Sequence, residues 1–324
     1  MKLLLALFAV GLGSMYAEAQ SPVSAVTPAM TATANQLLAS ARQDNQGYEL
    51  VRSLTTEVGP RLAGTEAEAR ARQWAVEKLQ VLGLQNVRVE PFQVPMWLRG
   101  VELGEIVSPF PQSLTITALG GSASTGKQGV EAEVVVFDSL SALQHASRMQ
   151  VEGKIVFIDE VMVRSRDGAG YGLAVQKRLA TAYVSEQLGA VAALIRSVGT
   201  SSHRFAHTGQ MRQAGADAEA GVPMAALAAP DADQLKRALA YGKPVTVKLV
   251  ITPQRLPPAS SGNVIGEIVG REAPQEIVLV GAHLDSWDLG TGAVDDGAGI
   301  GIVLGAAKLI MQQLPQGPRR TIRV

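Results

Sequence analysis

The sequence contains no cysteine. That excludes disulfides, a thiol nucleophile and thiolate metal ligands, so any metal site must use His, Asp and Glu. Aromatic residues make up only 4% of the chain, too few for an array of base-stacking side chains. Charge of either sign in excess is also missing. Lys+Arg and Asp+Glu each number 29, which removes the electrostatic case for nucleic acid or an anionic membrane as partner. Long apolar runs are absent apart from residues 3–12, which follow Lys2 and precede the small-x-small triplet Ala17-Glu18-Ala19. This is the pattern of a signal peptide over 1–19 cleaved before Gln20, with the mature protein secreted or periplasmic. The run is well short of the ~20 residues that span a bilayer, so no stable membrane span is expected. An exported chain without disulfides must be held together by packing or by metal.

What is present fits two domains, since 324 residues at roughly 100–200 per domain leave room for two. Residues 20–34 are small, polar and proline-containing, and read as a flexible segment. Helical patterning covers 36–54. Thr65 is a good N-cap for a helix with Glu66 and Glu68 in its first turn, stopped by Gly83. Residues 87–94 alternate as a strand. From 129 to 251 short β-branched runs alternate with helical segments, as in a self-contained α/β block. The proline-rich stretch 252–262 reads as an exit linker. Residues 276–283, EIVLVGAH, form a continuous apolar run expected at the buried centre of a sheet. A helix with a wide apolar face follows, to about Leu314, and RRTIRV begins a further strand.

The chemistry concentrates in 281–299. His283 ends the apolar strand, where open α/β sheets place their ligands. Asp285 stands two residues on, on the same side of an extended chain, where a carboxylate orients a metal-binding imidazole. Asp295 and Asp296 sit in a glycine-lined turn before the helix. Asp296 is placed to cap that helix, which leaves Asp295 free for metal. Oxygen and imidazole donors without sulfur suit Zn²⁺. A carboxylate shared by two metals ~3.5–4 Å apart suits hydrolysis. Taken alone, His-x-Asp more often marks a packed core histidine; the full constellation is what favours a metal.

The stretch GAHLDSWDLGTGAVDDGAG resembles the first metal-binding motif of the M28 family of co-catalytic zinc peptidases, and EVGPRLAGT (57–65), ALIRSV (193–198) and HTG (207–209) resemble its carboxypeptidase branch. The resemblance implies an α/β zinc-exopeptidase (phosphorylase/hydrolase-like) domain with a mixed central sheet, interrupted by a protease-associated domain. The implied boundaries are 20–113 and 256–324 for the peptidase domain and 114–255 for the insert. It implies two zinc ions per complete chain, His283 binding one of them, Asp295 bridging both, Asp285 as the catalytic acidic residue paired with the His ligand, and a cis bond between Asp295 and Asp296. The implied substrate is a small peptide or dipeptide; a homodimer is left open. An aminopeptidase of the same family and a non-catalytic binding protein on the same scaffold are the alternatives. The family also places a Glu-Glu pair after the next strand, the first Glu as general base and the second as zinc ligand. No such pair is present before Val324, so the expectation is of a sequence truncated at its C-terminal end and inactive by itself.

Other motifs carry less. His203 and His207 have i,i+4 spacing, but Arg204 stands between them where a zincin needs Glu. His145 lies on a polar helical stretch. Gly168-x-Gly170-x-Gly172 lacks the third glycine of a dinucleotide fingerprint at the right offset.

Overall fold

The structure is a computed structural model that describes residues 26–211 and 221–324. The expected signal peptide, 1–19, lies outside the described residues. The chain divides into two compact units, 1–45 and 46–324. In the first, helix α1 (Pro28–Ala41) is capped by Thr27, whose Oγ1 accepts from the Met30 N–H, and it buries no side chain. Part of the stretch read as flexible is therefore helical, because Thr27-Pro28 is an N-cap followed by a proline at N1.

The second unit opens with α2 (Gln46–Ser53) and α3 (Glu66–Leu82). Thr65 caps α3 by accepting from the Glu68 N–H at 3.3 Å, and Gly83 ends it in the left-handed region. The chain then runs through strands β1 (Gln85–Leu98), β2 (Glu102–Ser108), β3 (Gln112–Leu114), β4 (Ile116–Ala118) and β5 (Val130–Phe137). Short helices α4 (Leu140–Gln144) and α5 (Arg148–Val151) lead to β6 (Ile155–Ile158), then α6 (Ala169–Ala174) and α7 (Gln176–Gln187). The remainder is β7 (Ala192–Arg196), β8 (Met224–Leu227), α8 (Ala229–Ala240), β9 (Thr246–Ile251), β10 (Gln254–Ile268), β11 (Ala273–Leu279), α9 (Ala298–Gln313) and β12 (Arg320–Arg323).

These strands make two sheets, both mixed. Eight of them, ordered β3-β2-β9-β5-β6-β7-β8-β4, form the sheet of the inserted block, which spans 102–251 and thus begins upstream of residue 114. Strands β5-β6-β7-β8 run parallel at its centre, and β6, β7 and β8 are buried on both faces. Period-two alternation sends Ile155, Phe157 and Leu194 to one core with α8, and Val156, Ile158 and Ile195 to the other with Leu143 and Ala182. Each such Ile or Phe contributes roughly 1.5–3 kcal/mol by leaving water.

The other sheet, ordered β1-β10-β12-β11, belongs to the flanking segments. Its core joins Leu50, Trp74, Leu79, Ile268 and Leu304 from α2, α3, β10 and α9 with Leu54 just after α2 and Leu84 just before β1. Two sequence readings change here. The stretch 252–262 is no linker: β10 runs through it, antiparallel to β1. Pro257 and Pro258 are tolerated because they fall at the register shift between the Val94↔Ala259 and Met96↔Leu256 pairs, where the ladder needs fewer N–H donors. The apolar run over 276–283 is strand only in part: β11 pairs parallel to β12 and ends at Leu279. Its end is exposed, with Leu279 at 73%, and beside it lies a cavity of about 850 Å³ lined in part by His283 and Asp285.

Candidate metal centre

Residues 280–292 leave β11 without regular structure, so something other than a ladder must hold them. That something is Arg61, from the EVGPRLAGT segment, whose side chain is fully buried. Its guanidinium donates from Nε to the Leu284 carbonyl, from Nη1 to the carbonyls of Thr291 and Gly59, and from Nη2 to that of Gly292 at 3.0 Å. The two backbones are also tied: the Ser286 N–H donates to the Arg61 carbonyl and the Arg61 N–H to Ser286 Oγ, both at 3.1 Å. Burial lowers the Arg61 pKa, opposed by the charge of Asp285. A planar five-donor fork suits this job, because it reaches both ends of one loop at once.

On the loop so held, the three expected residues meet around one imidazole. His283 Nε2 lies 2.9 Å from Asp295 Oδ1. Nδ1 lies 3.1 Å from the Asp285 carbonyl oxygen and 3.2 Å from its Oδ1. The orientation of the ring is therefore set on both nitrogens. Burial opposes protonation of His283, but the hydrogen bond to Asp295 and the charge of Asp285 outweigh it and raise its pKa. Strand pairing does not bring His283 and Asp285 to one side, since β11 ends at Leu279; the loop does.

Asp296 turns the other way. Its carboxylate accepts from the Gly299 N–H at 3.1 Å, capping α9, and from the His283 N–H at 3.2 Å. Residue 299 must be glycine, because a Cβ there would stand 2.4 Å from both Asp296 oxygens. The division of labour between the two aspartates follows: one is taken up by backbone, while Asp295, with its side chain 79% exposed, faces the imidazole. The peptide bond between them is cis.

An imidazole nitrogen, once it gives up its proton, and the carboxylate oxygen beside it are donors that fit a borderline metal such as zinc. They are part of a shell and not a whole one: among the described residues, no group of three or more His, Asp or Glu is placed to hold a metal. His203 and His207 do not supply it. The His207 ring stacks on Phe205 at 5.1 Å, His203 meets the other side of Phe205 edge-on, and burial followed by the charge of Arg178 lowers the His207 pKa. His145 is exposed, its Nδ1 2.8 Å from the Ser141 carbonyl oxygen. Gly170 opens α6 close against the Val163 carbonyl, a packing role.

Sequence reading missed Arg61, whose signal was a lone cation between Pro60 and Leu62. It also missed Arg99 and Asp288, which pair beside the site. No helix among the described residues is long and apolar enough to cross a membrane.

Residues 263–324, which include β11, the loop and α9, match the model of Peptidase family M28. Carboxypeptidase Q of Bos taurus is 37% identical over 284 residues, covering 87% of this chain and 58% of its own length. A crystal structure of a Peptidase M28 precursor from Shewanella amazonensis SB2B is 48% identical with a TM-score of 0.86, over 90% of this chain and 66% of that one. A zinc aminopeptidase from Bacillus subtilis shares the fold at 22% identity, with a TM-score of 0.59 over 86% of this chain and 60% of its own. The chain thus spans less than two thirds of the length of these relatives, and its segment 263–324, which holds the loop on which His283, Asp285 and Asp295 converge, is of peptidase family M28.

Proposed function

We propose that the protein is a secreted zinc-dependent exopeptidase acting on small peptides or dipeptides in the manner of a carboxypeptidase. The observation that carries this reading is the meeting of His283 Nε2 and Asp295 Oδ1 at 2.9 Å, with Asp285 on the far nitrogen of the same ring. His283 and Asp295 would hold zinc, with two ions per complete chain. Zinc there supplies polarisation of the scissile carbonyl and a bound water of lowered pKa. The chain's own residues do the rest of what is described here. Asp285 fixes the His283 tautomer so that Nε2 presents its lone pair. Asp296 holds the backbone of His283 and the start of α9, and Arg61 holds the loop between them. The block over 102–251, with a sheet of its own, is read as the protease-associated domain, and 1–19 as an export leader.

Because the donors present make only part of a shell, residues 20–324 alone are expected to bind zinc weakly and to leave dipeptides intact; robust turnover by them would refute that. For the full-length protein, metal analysis after reconstitution and hydrolysis of dipeptides with either end blocked decide the function. Expected are two zinc ions per chain, and a larger loss of metal in Asp295→Ala than in His283→Ala. Less than one zinc per chain sinks the metal reading. Zinc bound without hydrolysis favours the binding protein, and turnover only with a free amino end favours the aminopeptidase.

A further inference from the structure

The metal loop is held on its other side by the inserted block. Asp288 follows His283 on that loop. Its carboxylate takes a two-pronged hydrogen bond from Arg99, Nε to Oδ2 at 2.7 Å and Nη2 to Oδ1 at 2.9 Å. Arg99 lies between β1 and β2, where the chain crosses into the second sheet. Its side chain is 9% exposed, and its remaining donors end on the inserted block: Nη1 on Glu102 Oε1 and Thr117 Oγ1 at 2.7 Å each and on the Ala118 carbonyl at 2.6 Å, and Nη2 on Thr208 Oγ1 at 3.1 Å. Glu102 in turn accepts from the Ala118 N–H at 2.7 Å, so Arg99 is anchored on an element already fixed to β4. The neighbouring residue makes a second contact. A Cβ on Gly120 would lie 2.4 Å from Trp287 Cη2, so the indole rests on bare backbone of the inserted block.

We propose that Arg99 is a positioning residue for the metal centre: by clamping Asp288 onto the inserted block it sets the path of the 284–292 loop, and with it the approach of His283 to Asp295. This rests on the peptidase reading for its consequence in turnover, and on geometry alone for the clamp. The physical argument is that a mostly buried, bidentate guanidinium–carboxylate pair gives directional restraint that an exposed ion pair does not. Arg61 restrains the two ends of the loop, at Leu284 and at Thr291-Gly292; Arg99 restrains its middle. A centre that needs two donors facing each other is sensitive to both, since partners behind metal ligands commonly matter by 10–100-fold.

The test compares the full-length protein with Arg99→Gln, Asp288→Asn and the double variant. Three quantities are read: amide hydrogen exchange in peptides covering 284–292, zinc affinity by chelator competition, and kcat and KM for a dipeptide. Expected are exchange in the loop at least about tenfold faster, zinc affinity and kcat down by about 10–100-fold with KM changed much less, and a double variant no worse than the worse single one. Asp288→Asn, at a residue 26% exposed, keeps the test decisive if Arg99→Gln does not fold. Unchanged exchange and zinc affinity in both single variants would overturn the proposal. A parent protein that neither binds zinc nor hydrolyses peptides would overturn the peptidase reading instead, while the exchange comparison would still decide the clamp.

Discussion

Replacing Arg61 by Met is the sharpest perturbation the structure offers. The volume is roughly kept and the charge and all side-chain donors are lost. Four carbonyls, those of Gly59, Leu284, Thr291 and Gly292, then lose their Arg61 donor; Gly59 is buried, Leu284 and Gly292 are half-buried and Thr291 is exposed, so water takes up part of the loss. A buried polar group left unsatisfied costs about 1–3 kcal/mol, so without that water the four together would cost on the order of 4–12. Against this, the variant no longer buries a cation, which returns several kcal/mol. The net loss is on the order of a few kcal/mol, a sizeable share of the 5–15 kcal/mol that stabilises a typical domain. It falls on one loop, so the loop opens before the sheets unfold. Urea unfolding followed by tryptophan fluorescence, which includes Trp287, and zinc competition on the same samples read both effects. Arg61→Lys should recover little, because one ammonium cannot reach Leu284 and Thr291-Gly292 together. If Arg61→Met unfolds within about 0.5 kcal/mol of the parent and binds zinc equally well, the loop does not depend on this cage and the reasoning fails.

Three further outcomes are expected. Asp285→Asn should keep most of the zinc but lower turnover, because the amide orients the His283 ring less well and adds no charge; unaltered activity counts against the role given to Asp285. Lys177 is fully buried, donates to the Glu160 carbonyl, and is pushed down by burial from 10.5 to about 8. Between those values the unfolded chain binds the extra proton, so stability should rise with pH from about 8 to 10.5 by up to roughly 3 kcal/mol. Lys177→Met should abolish that rise, and a slope unchanged in the variant would show that another group causes it. Brief trypsin treatment should cut first after Arg164 or Arg166, in the exposed stretch between β6 and α6, and not after Arg255, which is paired in β10; early cleavage at Arg255 would restore the linker reading of that stretch.

Local rules sufficed where the physics is local. Thr65 and Gly83 bound α3 because a cap and a left-handed stop need only their own neighbours. The runs at β6 and β7 were legible because strands covered on both faces are apolar almost throughout. His283, Asp285, Asp295 and Asp296 lie close in sequence, so their type and spacing already singled them out, and the structure brings Asp285 and Asp295 to the ring of His283 and Asp296 to its backbone. Pairing decided the rest. Nothing in 252–262 announces a strand, because Pro257 and Pro258 are acceptable in β10 only where the partner β1 has a register shift. Likewise, an apolar run states that it is to be covered and not where its strand stops, so the end of β11 at Leu279, before His283, was beyond composition and period. Arg61 and Arg99 were the least legible of all. Each is an ordinary cation in sequence, and each becomes a determinant of the metal loop only when chain from more than 180 residues away closes around its donors.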